Sequence, residues 1–477
     1  GPALLVGSSN YEDGQTNGGS IRIYDLQQQR TGESILGPTF CTGPLALADF
    51  DNDGDLDLFV GGRMLAGRYP EPAPSLLLRM ENNRFVVAQR FDRLGLVSGA
   101  VFSDLDGDGR PELVLACDWG PVRVFGLQEG HYQERTRELG LAECTGWWNG
   151  VATGDLDGDG QLDIVASNWG LNSKYRPTPK QPVRIYYGDF AGSEGVDIVE
   201  AYFDPATGKE VPNRGFRAVA AALPFIQEKI ENFAAYGLAS LQDIYGDKLK
   251  DAGVVEANAL QSVVYFNRGG RFEPAPLPGQ AQWAPAFGVC IADLDGDGAE
   301  DVFLSQNFFA VNPDDWRHDA GRGLLLRGNG QGRLDPVPGQ VSGIAVYGEQ
   351  RGCAVCDYDG DGRVDLAVTQ NGNATRLFHN RRAQPGLRVR LVGPPGNPGA
   401  VGTSLRLLFG DRKGPLREVQ AGSGYWSHNS LIQVLATPEP ATGIWLRWPG
   451  GKTATFTLPA GAKEVSIAQT GALKVLR

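Results

Sequence analysis

Five nine-residue segments of this chain repeat one pattern: acid, any residue, Asp, any residue, Asp, Gly, any two residues, acid. They span 49–57, 104–112, 155–163, 293–301 and 357–365. Carboxylates at positions 1, 3, 5 and 9 with glycine at 6 describe a tight loop that wraps a hard cation in oxygen ligands. Position 7 adds its backbone carbonyl, as in the helix-flanked calcium loop. The expected ligands are Asp49, Asp51, Asp53, Asp55 and Asp57 in the first loop and Asp104, Asp106, Asp108, Arg110 and Glu112 in the second. Asp155, Asp157, Asp159, Gln161 and Asp163 form the third set; Asp293, Asp295, Asp297, Ala299 and Asp301 the fourth; Asp357, Asp359, Asp361, Arg363 and Asp365 the fifth. Without a cation, four crowded carboxylates repel; with one, the loop closes and pins the strand pair behind it. About five structural Ca²⁺ ions are expected, because Mg²⁺ keeps its waters and is poorly served by an all-protein cage. Extracellular modules of this kind bind calcium in the ~10⁻⁴–10⁻³ M range.

The loops also account for the charge. The formal net charge is −12, from 56 acidic and 44 basic side chains. Five divalent ions in the loops would bring that to about −2. No basic run or stripe is visible, so nucleic acid is excluded as a partner. No stretch approaches ~18 apolar residues, and no membrane-spanning segment is expected. Glycine, 66 of 477 residues, is about twice its usual share, which favours many turns between short strands.

Six cysteines, at 41, 117, 144, 290, 353 and 356, are too scattered for a disulfide scaffold. One or two bridges fit the count, with a connectivity that the sequence does not fix. Cys353-Ala-Val-Cys356 has redox spacing, but residues three apart on a strand point to opposite faces. Buried packing is the favoured reading. Gly1-Pro2 runs directly into a strand and looks like a tag-cleavage scar, so an upstream leader or domain is expected to have been removed.

Each acidic loop lies between short apolar strands, with one or two further strands after it. Repeats of several strands with Gly-rich turns mean a radial or solenoid β-array. The loop starts are 55, 51 and 64 residues apart, except for one step of 138 between the third and fourth. That step is expected to hide a metal-free blade built from 252–257 and 262–266. Strands at 3–6 and 20–24 supply another loopless unit, which lacks its inner strand. The expected fold is therefore all-β: a seven-bladed propeller over 1–383, followed by a small separate β-domain over 384–477. A helical hairpin at about 216–246 is expected between blades, capping one face, with Pro224 at its start and Ile226, Ile230, Phe233, Leu238, Leu241 and Ile244 on its apolar side. Segment 189–197 looks like a decayed sixth loop, with Ala191 and Ser193 where carboxylates belong.

The five loops and their flanking strands resemble FG-GAP/VCBS propeller repeats, the class that builds the integrin α-subunit head. The tail resembles the ASPIC/UnbV domain through Gly386-Leu-Arg-Val-Arg-Leu, Arg417-Glu-Val, Gly422-Ser-Gly-Tyr-Trp-Ser427 and Trp448-Pro-Gly-Gly-Lys452. Together, in this order, they are similar to the cartilage-acidic-protein type of architecture found in secreted bacterial proteins. Trp147-Trp-Asn-Gly-Val-Ala-Thr-Gly-Asp155, Asn168-Trp-Gly-Leu-Asn-Ser173 and Ala222-Leu-Pro-Phe225 carry the same likeness. The resemblance implies calcium in the loops, a secreted or cell-envelope location and no defined catalytic residues.

Trp119, Trp147, Trp148, Trp169, Trp283, Trp316 and the pair Phe308-Phe309 lie in or near loops beside the repeats. They suit either packing between blades or stacking on a sugar or protein partner. The four histidines show no metalloprotease spacing, and no nucleophile elbow or phosphate loop is present. The expected function is a calcium-stabilised extracellular binding or adhesion module, monomeric and not an enzyme, with a protein or glycan partner. The alternatives are a calcium-dependent polysaccharide lyase and a structural spacer within a larger surface protein.

Overall fold

The computed structural model describes residues 3–9, 21–32, 35, 40–312 and 315–477. It is almost entirely β, and the acidic repeats set its plan. In five successive sheets the acidic loop joins the first strand to the second. Sheet two holds Cys41–Ala48, Asp57–Met64, Ala73–Glu81 and the first half of Arg84–Ser103. Sheet three begins with the second half of that long strand and continues through Glu112–Pro121, Arg123–Gln128 and His131–Glu134. Sheet five holds Ala286–Ala292, Asp301–Gln306, Leu324–Gly328 and Leu334–Val337; sheet six holds Glu349–Cys356, Asp365–Asn371 and Asn373–Phe378. A three-stranded sheet one, Ala3–Gly7 with Ile21–Asp25 and Arg30–Thr31, carries no acidic loop.

Sheet four corrects one expectation. Its strands are Val151–Gly154, Asp163–Ala166, Val263–Asn267 and Phe272–Pro276. The two strands expected to make a metal-free blade therefore part company. Val263–Asn267 pairs with Asp163–Ala166, whereas Gly253–Ala257 pairs with Val183–Gly188 in an inserted sheet. The long step between loops is an excursion within one blade, not an extra blade. Among the described residues the ring has six sheets, and the count of seven is not reached.

The excursion carries the helical segment. It consists of four short helices, Phe216–Ala222, Phe225–Lys229, Phe233–Leu238 and Leu241–Tyr245, rather than a hairpin between blades. Ile226, Ile230, Leu241 and Ile244 are buried against Phe190, Val199 and Ala201 of the inserted sheet. Phe233 and Leu238, expected on the apolar side, are exposed. The chain breaks the helical period before Phe233, where Asn232 caps a new helix through Ala235 N–H. Segment 189–197 turns at the end of the inserted sheet, where Asp189 accepts from Ser193 and Glu194 N–H at 2.8 and 3.0 Å.

The tail packs two sheets face to face. One holds Gln433–Leu435, Leu387–Val392, Glu464–Ala468 and Leu473–Val475, with the middle pair parallel. The other is built on Ser404–Phe409, Gly443–Arg447 and Thr453–Thr457. Alternating residues of both, among them Val389, Leu405, Ile444, Leu446 and Ile467, form its own core.

Between these tail strands, segment 420–430 leaves the domain and enters the ring. Leu47 N–H donates to Ala421 O at 2.8 Å, and Gly424 N–H to Val151 O at 2.6 Å. Val355 N–H donates to Asn429 Oδ1 at 3.0 Å, and Tyr425 packs edge-on against Phe287. These contacts reach the first strands of sheets two, four, five and six. In sheet three a Cβ on Gly99 would lie 2.8 Å from Gly424 O. One short segment can touch five first strands only if they face a common axis, so these strands line a central channel that the tail fills. Adjacent sheets are tied beside it: Ser167 Oγ donates to Phe287 O at 2.7 Å, and Ser305 Oγ donates to Arg351 O.

Candidate metal centres

All five acidic loops close in the same way. The N–H of the position 6 glycine donates to Oδ2 of position 1: Gly54 to Asp49 and Gly160 to Asp155 at 3.1 Å, Gly109 to Asp104 at 3.0 Å, and Gly298 to Asp293 and Gly362 to Asp357 at 2.8 Å. Both position 4 and position 6 adopt positive φ, from +61° at Asn52 to +95° at Gly54. That explains why position 4 is asparagine in the first loop and glycine in the other four.

Position 9 latches the loop to the sheet. One oxygen accepts from the N–H of position 2, as in Leu294 to Asp301 at 2.8 Å. In four loops the other accepts from the third strand or from the residue two positions beyond it: Met80, Asn267 and Gly328 donate at 2.8 Å to Asp57, Asp163 and Asp301, and Asn380 at 2.7 Å to Asp365. Glu112, one carbon longer, instead lies 3.8 Å from Arg135.

Positions 1, 3 and 5 converge. In the first four loops one carboxylate oxygen from each lies within 4.8 Å of the others. In the fifth, Asp359 and Asp361 form such a group with His379, whose Nε2 is 3.1 Å from Asp359. Oxygens bound at 2.3–2.6 Å to one Ca²⁺ lie within about 5 Å of each other, so each cluster is close enough to share a single cation. Asp49 Oδ1 and Asp155 Oδ1 are also buried without a hydrogen-bond partner. A buried carboxylate oxygen left unpaired is costly, and an ion in the loop would satisfy it.

Electrostatics agree. Burial is the largest cause pushing Asp49, Asp155 and Asp293 up to about 6, Asp57 and Asp163 to about 7, and Glu112 and Asp301 to about 8. Neighbouring loop carboxylates add to each shift. These groups are poor anions by themselves and good ligands for a cation that supplies the missing charge.

The tail covers these loops with arginines. Arg447 Nη2 lies 2.8 Å from Asp104 Oδ2, and Arg388 pairs with Asp357, each inside the ring–tail contact. Arg406 lies beside the third loop, where its charge acts on Asp155, and Arg417 grips Glu300 of the fourth loop. Main-chain bonds accompany them: Leu416 N–H donates to Asp155 Oδ2 at 2.8 Å and Gly450 N–H to Gly109 O at 2.9 Å. Over the first loop a Cβ on Gly396 would lie 1.7 Å from Asp55 Oδ1, a contact only glycine allows. Further cations approach positions 3 and 5 from within the ring: Arg268 lies 2.7 Å from Asp157 and Arg327 2.6 Å from Asp295.

The repeated motif marks the loop acids that converge here, but neither the tail arginines nor His379. No local pattern marks these, since their partners lie in distant parts of the chain. A signal for the channel was present: Gly43, Gly99, Gly150, Gly288 and Gly352 each stand five or six residues before a loop. Of the candidate tryptophans, Trp119, Trp147 and Trp148 are buried, and Trp119 and Trp169 pack edge-on or nearly so against Trp147. Trp283 and Trp316 are exposed. Among the described residues no helix is long and apolar enough to cross a membrane.

Two segments of the chain match models of known families. The model of the FG-GAP-like repeat matches residues 104–166, and the model named ASPIC and UnbV matches residues 393–474. Cartilage acidic protein 1 of Mus musculus is 23% identical over 510 residues, covering 91% of this chain and 75% of that protein. Among solved structures, a periplasmic gluconolactonase of Pseudomonas aeruginosa aligns over 96% of both chains at 11% identity, with a TM-score of 0.38. An exotype rhamnogalacturonan lyase aligns over 80% of this chain and 73% of its own at 13% identity, with a TM-score of 0.27. The chain thus joins an FG-GAP-like repeat region to an ASPIC and UnbV domain, and is similar along nearly all its length to cartilage acidic protein 1.

Proposed function

We propose that this chain is a calcium-stabilised, secreted or cell-envelope recognition module, monomeric, that binds a protein or glycan partner through the ring face opposite the acidic loops. The observation that carries this reading is the placement of the tail. It covers the loop face and fills the channel, so the other face is the one left free to meet a partner.

That face is built by the connections from second to third strands and from each sheet to the next. It exposes Trp283, Trp316, Tyr347 and, at the tip of the channel segment, Trp426. Between Trp169, Tyr175, Phe308 and Trp316 lies a cavity of about 170 Å³, rimmed by Lys174, Glu200, Arg214 and Asp315. Trp169 Nε1 is buried there without a hydrogen-bond partner. A flat aromatic wall with charged groups at its edge suits one sugar ring or one side chain of a partner.

Calcium would sit in each loop on the carboxylates of positions 1, 3, 5 and 9 and the carbonyl of position 7. When bound it supplies the positive charge that lets buried carboxylates stay ionised. At ~10 mM Ca²⁺ and dissociation constants of ~10⁻⁴–10⁻³ M, each site adds about 1.4–2.7 kcal/mol. For a chain of this length unfolding as one unit, five sites raise the melting temperature by about 7–14 °C. Scanning calorimetry in EDTA, then with Ca²⁺ or Mg²⁺ restored, tests this. An unchanged melting temperature in EDTA rules out structural calcium.

Glycan and protein arrays probed with wild type and Trp316→Ala test the recognition face. Loss of at least tenfold in affinity is expected for the variant. Binding that survives Trp316→Ala and Trp283→Ala unchanged refutes this face, and no binding at all leaves the spacer reading. Absorbance from unsaturated products on uronic-acid polymers would replace the binding module with a lyase.

A further inference from the structure

Cys290 and Cys353 stand on the first strands of neighbouring ring sheets, and their Sγ atoms lie 3.1 Å apart. Both side chains are buried. The separation is shorter than ordinary non-bonded contact, roughly 3.5–4.0 Å even between carbons. It is only about 1 Å longer than a sulfur–sulfur bond. The two strands approach closely here: a Cβ on Gly288 would sit 2.7 Å from Arg351 O and 2.8 Å from Cys353 Sγ, so glycine there admits the neighbouring strand and its thiol. Around them Ala292, Phe303, Val355 and Val368 close an apolar shell shared by sheets five and six. Burial, with Cys290 alongside, holds the Cys353 thiol well above its ordinary range, which makes it inert once the ring is complete.

We infer that Cys290 and Cys353 form a disulfide that staples sheet five to sheet six when the chain folds in an oxidising compartment. The oxidant is a low-molecular-weight disulfide, RSSR. The Cys290 thiolate attacks one of its sulfurs, forming a mixed disulfide and releasing one RS⁻. The Cys353 thiolate then attacks the Cys290 sulfur, the protein S–S bond forms, and a second RS⁻ leaves. Two protein thiols are oxidised, RSSR is reduced to two RSH, and the two thiol protons end on those products. Because the finished ring buries both sulfurs, the exchange belongs to folding, before the sheets close on each other. The bond spans 63 residues of chain, so it restricts the unfolded state as well as the ring.

The test folds the full chain in a defined buffer of oxidised and reduced glutathione. The protein is then denatured without reductant, alkylated with iodoacetamide and mapped by mass spectrometry. The expected result is a linked peptide containing Cys290 and Cys353, with neither residue alkylated. Reduction should lower the melting temperature by about 4 °C. The Cys290→Ala/Cys353→Ala variant should lose the linked peptide; if it fails to fold, the wild-type map still decides. Full alkylation of both residues in folded protein, or a bridge from either to another cysteine such as Cys356, overturns the inference.

Discussion

Arg417→Met should destabilise the protein by about 3–5 kcal/mol, the cost of leaving a buried charge without its partner. The guanidinium reaches from the tail to the fourth acidic loop. It donates from Nε to Glu300 Oε1 and from Nη2 to Glu300 Oε2 at 3.1 Å, and from Nη1 to Val434 O. Side-chain exposure is 10% for Arg417 and 1% for Glu300, so solvent screens little of the interaction. Methionine fills most of the volume and removes the charge, stranding the Glu300 carboxylate. The double variant with Glu300→Gln removes both charges and should recover about 2 kcal/mol relative to the sum of the two single changes. The assay is calorimetry in saturating Ca²⁺, with all four proteins compared. If ring and tail unfold together, the entropy of a chain of this size gives about 1 °C per kcal/mol, a drop of about 3–5 °C. If the roughly 90-residue tail melts alone, the same energy shifts its transition by about 15–25 °C. Additivity of the two single changes within about 0.5 kcal/mol would refute the buried-pair account.

Two further outcomes follow from the same geometry. In chelator, the raised carboxylates (about 6 at Asp49 and Asp155, about 7 at Asp57 and Asp163, about 8 at Glu112 and Asp301) make the folded state hold more protons than the unfolded one above the ordinary carboxylate range. Unfolding free energy then falls as pH rises, so the metal-free protein should melt higher at pH ~5.5 than at pH ~8.5; thermal scans showing the reverse would contradict the burial of these groups. Gly424→Ala, at φ +63° with a Cβ 2.6 Å from Val289 O, should cost at least about 1 kcal/mol more than Gly410→Ala at φ +61°, which meets nothing within 4 Å. Equal losses in chemical denaturation would mean that the channel segment has room to move.

The acidic loops were legible in the sequence because their geometry is local: nine consecutive residues supply the clustered acids, the turn and the latch. Tail strands such as Leu387–Val392 and Glu464–Ala468 were legible for a similar reason, as apolar alternation between Pro and Gly turns. The supposed extra blade was not. Gly253–Ala257 and Val263–Asn267 are neighbours in sequence and read as strands of one blade. Yet Asn258 N–H donates to Thr145 O at 2.9 Å, and Gln282 Oε1 accepts from Ser262 N–H at 2.9 Å. Those long-range bonds send the two strands to different sheets, and no local pattern records them. The tail arginines were hidden for the same reason: Asp104 and Arg447 are paired in the fold but lie in distant parts of the sequence.

Placement of those arginines bears on how calcium and the tail would work together. In the second and fifth loops the tail guanidinium takes Oδ2 of position 1, at Asp104 and Asp357. In the third loop the Leu416 N–H takes the same oxygen of Asp155. The Oδ1 of Asp155 stays buried without a partner, as does that of Asp49. In the third loop one oxygen of the carboxylate thus faces the tail, and the other is left for the loop interior. On the calcium reading, ion and tail do not compete for one lone pair; they occupy opposite ends of a shared anion. An ionised carboxylate favours both, whereas a protonated one favours neither, so each ligand holds the group in the state the other needs. In the third loop, where the tail's donor is an uncharged N–H, calcium binding and tail docking should therefore reinforce each other by linkage through the charge on Asp155.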